Sequence, residues 1–239
     1  MIAAALCVAT PAAGQASSEE ARAQQRAACA NSDRSRPADA QIRACTTLMQ
    51  ARNLTAQDRA QLLNNRGNAY RMAQQFGMAI VDYDEAIRLS PNYVNAFNNR
   101  GIAYRAAGLP DRAIADFTFA LQLDPDSANL YSNRGSAYAD QRDYARAIAD
   151  FGQAIARDPG YANAFNNRGN AYRAQGDFAR AIADYTEAIR LNPSYANAFN
   201  NRGIAYREQG DIQRALEDFE QAARLDPDNP DYAAFGARR

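Results

Sequence analysis

The 239-residue sequence contains no lysine, no histidine and no tryptophan. Without histidine there is no imidazole base and no imidazole metal ligand; without lysine there is no Schiff base. The same absences remove the lysine-bearing phosphate loop, and three cysteines without histidine leave no recognisable metal-ligand cluster. No serine stands in a pattern with a plausible base. No catalytic residue, metal site or cofactor is therefore assigned, and the chain reads as a non-enzyme. Long apolar runs are missing too: no segment approaches the about 20 residues that cross a bilayer. An excess of one charge is also missing, since 27 arginines meet 27 acidic residues at a pI near 6.3. That balance lacks the basic footprint of a nucleic-acid binder.

What is present begins with an apolar start. Residues 1–16, MIAAALCVATPAAGQA, run from an apolar stretch into small residues suited to cleavage, as in a secretory signal peptide, although no Lys or Arg precedes the stretch. The expectation is a periplasmic or secreted protein, or a cytoplasmic one if residues 1–16 are not a signal. Leu6 before Cys7 argues against a lipoprotein. Removal of residues 1–16 leaves Cys29 and Cys45, an even pair in an oxidising compartment. They fall in two expected helices, about 18–31 and 38–52, with Pro37 between them. An antiparallel hairpin would bring the sulfurs together as a disulfide, worth about 3 kcal/mol by loop closure; the alternative is two buried thiols.

Most of the remaining chain is periodic. Gly67, Gly101, Gly135, Gly169 and Gly203 recur every 34 residues, as do Pro91, Pro125, Pro159, Pro193 and Pro227. Five units follow: 60–93, 94–127, 128–161, 162–195 and 196–229. In each, a first helix carries an aromatic or Leu, then Gly, then Tyr three residues later. A second helix carries Ala, Tyr or Phe, and Ala at spacings of four and three. Residues at those spacings share a helix face, so small groups on one helix admit rings from the other. A mid-helix glycine costs about 1 kcal/mol against alanine, which close helix approach offsets. Asn92, Asp126, Ser194 and Asp228 are expected to cap the following first helices, with Gly160 as the exception. Arg66, Arg100, Arg134, Arg168 and Arg202 precede the glycines, and Asp82, Asp116, Asp150, Asp184 and Asp218 are their expected ion-pair partners.

An aromatic (Leu63 in the first unit), Gly, Tyr, Ala, aromatic, Ala and Pro at these offsets in the five units resemble the tetratricopeptide repeat (TPR) family over 170 of the 239 residues. The arginine before each glycine departs from the leucine often found there. The resemblance implies an all-α fold, a right-handed α-α superhelix (solenoid) of tandem helical hairpins. Residues 17–59 look like a degenerate N-terminal hairpin, with Cys29 at the Gly place and Cys45 at the aromatic place. The pattern resembles exported bacterial TPR proteins. Residues 230–239 form a short C-terminal cap.

In the family the first helices line a concave surface that holds extended peptides. Asn65, Asn99, Asn133, Asn167 and Asn201 recur on those helices, and a carboxamide offers both a donor and an acceptor to a peptide backbone. The row resembles the asparagine ladder of the O-linked N-acetylglucosamine transferase. Arg71, Arg105, Arg173 and Arg207 form a second row, broken by Ala139, suited to an acidic ligand. Asn68 with Asn99, and Asn170 with Asn201, match the asparagines of the TPR clamp for C-terminal carboxylates, but Asn64, Asn129 and Asn133 stand where its cations belong. The alternative is that the asparagines bond only neighbouring helices. The expected role is a scaffold or adaptor binding an extended peptide of another protein. The alternative is a self-assembling homo-oligomer or an accessory subunit of an envelope complex. No nucleic-acid partner and no membrane insertion after signal removal are expected.

Overall fold

A computed structural model describes residues 13–31, 35–230 and 232. Among the described residues every regular element is an α-helix: α1 (Ala13–Ala30), α2 (Ala38–Leu48), α3 (Ala56–Met72), α4 (Phe76–Leu89), α5 (Val94–Ala106), α6 (Pro110–Leu123), α7 (Ala128–Asp140), α8 (Tyr144–Arg157), α9 (Ala162–Ala174), α10 (Phe178–Leu191), α11 (Ala196–Glu208) and α12 (Ile212–Leu225). The fold class is all-α and built of tandem helical hairpins, as the periodicity predicts. Most of the expected leader lies outside the described residues, and α1 begins at Ala13. Of the expected cap, Pro230 and Tyr232 are described; Tyr232 is buried and its hydroxyl donates to Asn197 Oδ1. No described helix is long and apolar enough to cross a membrane.

The chain divides into two compact units after Ala103, within α5. In the first, α1 packs on α2, α2 on α3 and α3 on α4. In the second, α6 to α12 each pack on the next, and the first helices α7, α9 and α11 touch in succession. The cores follow the expected small-and-large pattern. Tyr83 packs with Ala79 and Ala103, Phe151 with Ala147 and Ala171, and Tyr185 with Ala181 and Ala205. Full burial of a ring such as Phe151 contributes about 1.5–3 kcal/mol.

The close approach proposed for the repeating glycines is present. A Cβ at Gly67 would lie 2.6 Å from Cε1 of Tyr83, and one at Gly169 would lie 2.7 Å from Cε1 of Tyr185. In α1 and α2 the same two places, also 16 residues apart, hold Cys29 and Cys45 with their sulfurs at bonding distance, 2.07 Å. Gln41, at the place of Ala79, is buried there and its polar atoms are satisfied. Its Nε2 donates to the Cys29 carbonyl (2.9 Å), and its Oε1 accepts from Asn31 Nδ2 (3.1 Å).

The capping pattern differs from the expected one. First helices α7, α9 and α11 have no side-chain cap; their N-cap residues are Ser127, Tyr161 and Tyr195. The proline turn delays these helices, so Asp126 and Ser194 sit too early to reach the first turn. The capped helices are instead α8, α10 and α12, where Asp143, Asp177 and Asp211 accept from the backbone N–H of Arg146, Arg180 and Arg214. Helix α3 carries a capping box between Thr55 and Asp58.

Candidate functional site

The arginines before the glycines are structural, as expected. Arg66 grips Asp82 through Nε and a second guanidinium nitrogen at 2.7 and 2.6 Å, and Arg134, Arg168 and Arg202 grip Asp150, Asp184 and Asp218 in the same bidentate way. A further contact was not legible within a single repeat. The third nitrogen reaches back to the preceding hairpin, from Arg66 to Thr46, Arg134 to Thr118 and Arg202 to Thr186, at 3.0–3.2 Å. Arg100 reaches Asp84 at the equivalent place, 2.6 Å away. One guanidinium therefore ties three helices together and fixes the rotation of each first helix, and with it the face that carries the asparagines.

On that face Asn64, Ser132 and Asn166 are buried, while Asn65, Asn99, Asn133, Asn167 and Asn201 are half-buried. In the first unit Asn99 Nδ2 donates to Asn64 Oδ1 at 2.9 Å; in the second, Asn201 Nδ2 donates to Asn166 Oδ1 at 3.0 Å. The inner asparagine of one repeat thus orients the row asparagine of the next. This is the in-chain use anticipated as the alternative, and it occupies only one side of each amide. Oδ1 of Asn99 and Asn201, and the whole carboxamide of Asn65, have no hydrogen-bond partner among the described residues. Asn167 Oδ1 accepts from Asn166 Nδ2 at 3.3 Å.

Each unit has a cavity with a row asparagine in its wall. In the first, about 290 Å³ lies between α1, α3 and the loop after α2, lined by Arg22, Arg26, Leu48, Gln61, Leu62 and Asn65. In the second, about 190 Å³ lies between α7 and α9, bounded by Ser136, Ala139, Tyr144, Phe151, Asn167 and Asn170. The second cavity has a sequence cause. Ser136, Ala139 and Phe151 stand where the fourth repeat has Asn170, Arg173 and Tyr185, so three smaller side chains leave a gap.

The arginine row is more self-contained than its sequence suggests. Arg105 Nε donates to Asp140 Oδ2 at 2.5 Å and Arg173 donates to Glu208 Oε1 at 3.2 Å, each partner lying 35 residues on. Arg207 lies over the Phe219 ring at 5.9 Å. Arg71 has no carboxylate partner among the described residues, and its Nε is buried without a hydrogen bond. Beside it Tyr83 donates its hydroxyl to Asn68 Oδ1 at 2.8 Å, as Tyr185 donates to Asn170 beside Arg173. Burial raises both phenols, Tyr185 to about 12, while the adjacent Arg71 and Arg173 act in the opposite sense. Asn68 and Asn170 thereby have their oxygens engaged, and their amide hydrogens take no part in those bonds. Among the described residues no group of acidic or cysteine side chains could hold a metal ion.

Sequence profiles of the tetratricopeptide repeat match residues 94–127, 126–194 and 166–230, and a TPR repeat profile matches residues 67–108. A solved MamA structure is 30% identical, covering 68% of this chain and 95% of its own, with a TM-score of 0.61. The chain belongs to the tetratricopeptide repeat family. Other TPR structures share its fold. MamA of Desulfovibrio magneticus RS-1 is 22% identical over 72% of this chain and 98% of its own, with a TM-score of 0.64. YrrB, described as a TPR protein with an unusual peptide-binding site, is 20% identical over 81% of this chain and 97% of its own, with a TM-score of 0.59. No curated protein sequence matches. As a TPR chain it has a scaffold fold consistent with protein–protein interaction.

Proposed function

We propose that the protein is an adaptor that holds an extended peptide segment of another protein along the first-helix face of its repeats. The carrying observation is that the cavities of both units have row asparagines in their walls, Asn65 in one and Asn167 in the other. Carboxamides with at least one side left open in-chain suit a peptide backbone, whose N–H and C=O repeat without regard to side chain. YrrB carries a peptide-binding site on a similar fold, which supports the reading at the level of fold alone. Export completes the proposal: residues 1–16 act as the leader and the Cys29–Cys45 bond closes the N-terminal hairpin in an oxidising compartment. A mass measurement of the exported chain tests this part, with cleavage after residue 16 and two hydrogens lost to the disulfide as the expected result.

The binding test uses peptides selected from a randomised library on the intact protein. They are expected to lose binding to an Asn99→Ala, Asn133→Ala, Asn167→Ala variant whose helical circular dichroism is unchanged. Retained binding would remove the asparagine row from the site.

A second reading is favoured by Leu216 and Ile212 of α12, which are 37% and 54% exposed. Leu216 stands at the place of Ile80, Ile148 and Ile182, each of which packs in a core cluster. End-to-end association through α12 would cover it. Light scattering of the native chain against Leu216→Glu decides, since a strict monomer at high concentration excludes this reading.

A further inference from the structure

The first and fourth repeats carry the same polar triad: Asn68, Arg71 and Tyr83 in one, Asn170, Arg173 and Tyr185 in the other. In both, the buried phenol fixes the asparagine by donating to its Oδ1 at 2.8 Å. The two differ in what the arginine holds. Arg173 takes Glu208, and Arg105 at the same place in the second repeat takes Asp140. These internal pairs show what the position accepts, a single side-chain carboxylate supplied 35 residues on. The residue 35 positions after Arg71 is Ala106, so the sequence supplies no carboxylate there. Arg71 accordingly has no ion pair among the described residues; its Nε is buried without a hydrogen bond, as is that of Arg173, so the missing carboxylate is what sets the two apart.

A half-buried guanidinium with only the neutral Tyr83 phenol beside it and no anion has its desolvation incompletely offset. An exogenous carboxylate at Arg71 would repair this and would find a second donor in Asn68 Nδ2, whose amide is already oriented by Tyr83. We propose that Arg71, with Asn68, is the anionic subsite of the peptide face, taking one Asp or Glu side chain of the bound segment. The preference of the site for acid is thus confined to one register. The second and fourth repeats satisfy their own arginines, the third has Ala139 in that place, and Arg207 of the fifth is engaged over the Phe219 ring. This rests on the peptide-binding reading above and narrows it from an acidic segment to a segment with one required carboxylate.

The test uses the intact protein and library-selected peptides in matched pairs, one with Glu and one with Gln at each acidic position. Affinity is read by fluorescence anisotropy. A single Glu→Gln change is expected to weaken binding to the wild type by about tenfold, the order expected for a charge-assisted hydrogen bond. The same change should have no effect on Arg71→Gln, which binds both peptides at the weaker level. Glu208→Gln, which opens Arg173, should create a second preference for Glu at a position the wild type ignores. If Glu and Gln peptides bind the wild type equally, the subsite is overturned and peptide binding stands. If no library peptide binds at all, both fall. If Arg71→Gln is poorly folded, the Glu208→Gln gain still decides, because its absence shows that an opened arginine at this place does not recruit a carboxylate.

Discussion

Arg168 faces Gly152 where three of its counterparts face a hydroxyl and Arg100 faces the Asp84 carboxylate. A Cβ at Gly152 in α8 would lie 3.8 Å from a terminal guanidinium nitrogen of Arg168 in α9, an ordinary contact with room for a side chain. Arg66, Arg134 and Arg202 donate at this place to Thr46, Thr118 and Thr186. The fourth repeat therefore lacks one of the ties that the others have to the preceding hairpin.

Gly152→Thr is expected to stabilise the protein. It removes a mid-helix glycine and supplies an acceptor, two gains that together come to about 1 kcal/mol after the lower helix propensity of threonine. Gly152→Ala separates them, since it gains propensity without the hydrogen bond. Denaturant unfolding of the two variants against the wild type measures the difference. A Thr variant less stable than the Ala variant by the full propensity gap, about 0.5 kcal/mol, would show that the inter-hairpin bond contributes nothing.

A second periodic position concerns the turn between the helices of each hairpin. Gly108, Gly176 and Gly210 adopt φ of 76°, 79° and 86°, and in the same register Gln74 and Arg142 are forced to 59° and 61°. The left-handed region costs a non-glycine residue about 1–2 kcal/mol. Part of that returns as the unfolded-state entropy lost when glycine is introduced. Gln74→Gly and Arg142→Gly are therefore each expected to stabilise by about 0.5–1 kcal/mol, and Gly176→Ala to destabilise by about 1 kcal/mol. Thermal melts of the three variants check the signs.

These two positions mark where sequence reading stops. Helix count, hairpin register and the Gly–ring contacts were legible, because each depends on residues that recur every 34 positions in a chemically recognisable form, and the meeting of Cys29 with Cys45 because their 16-residue separation matches that of Gly and ring in the repeats. The turn position was hidden because Gln74 and Arg142 do not look like turn residues. The Thr46, Thr118 and Thr186 contacts were hidden because they join one repeat to the one before it. The closure of Arg105 and Arg173 was hidden for the same reason, its carboxylates lying 35 residues on and varying between Asp and Glu. The asparagine row was visible, but its division into buried holders and half-open members needed the packing of neighbouring first helices.

A bond between Cys29 and Cys45, whose sulfurs lie 2.07 Å apart, would replace packing in the hairpin that lacks a ring at the Tyr83 place. Its removal in a Cys29→Ser, Cys45→Ser variant frees a loop closed across 16 positions, which corresponds to about 3 kcal/mol in the chain-entropy model. The expected loss is of that size in denaturant unfolding and should be matched by the wild type under reducing conditions. An unchanged unfolding midpoint with reductant would mean that α1 and α2 contribute no cooperative stability.

Acid sensitivity follows from the capping aspartates. The carboxyls of Asp143, Asp177 and Asp211 are held below the usual range, by the backbone N–H of Arg146 foremost for Asp143 and by the guanidinium of Arg180 or Arg214 foremost for the others. A lowered folded value means that the stabilisation is present above the unfolded value, about 3.9, and is lost as pH falls through the folded values. With no histidine in the chain, no unperturbed side chain changes charge between about pH 5 and 8, so the melting temperature should be flat there. It should fall below about pH 4, and an Asp143→Asn, Asp177→Asn, Asp211→Asn variant should fall less steeply. A wild type that loses stability between pH 8 and 5 would contradict this assignment.

The Arg168–Asp184 pair separates structural need from chemical identity. Asp184 is buried and its side chain is 9% exposed, against 23% for Arg168. Asp184→Ala would leave the guanidinium without its bidentate partner, and loss of one member of a largely buried pair costs about 3–5 kcal/mol. Since Arg168 can turn part of its head to water, the lower end of that range is expected. Replacing both members, Arg168→Leu with Asp184→Ala, removes the stranded charge and places at 168 the residue often found there in the family. The double variant should recover most of the loss, to within about 1–2 kcal/mol of the wild type, because a well-packed apolar pair can substitute for a buried ion pair. Unfolding free energies of the two single variants and the double variant form the cycle. Additive losses would instead mean that each side chain holds its helix through separate contacts, for Arg168 those with the Phe165 and Tyr172 rings.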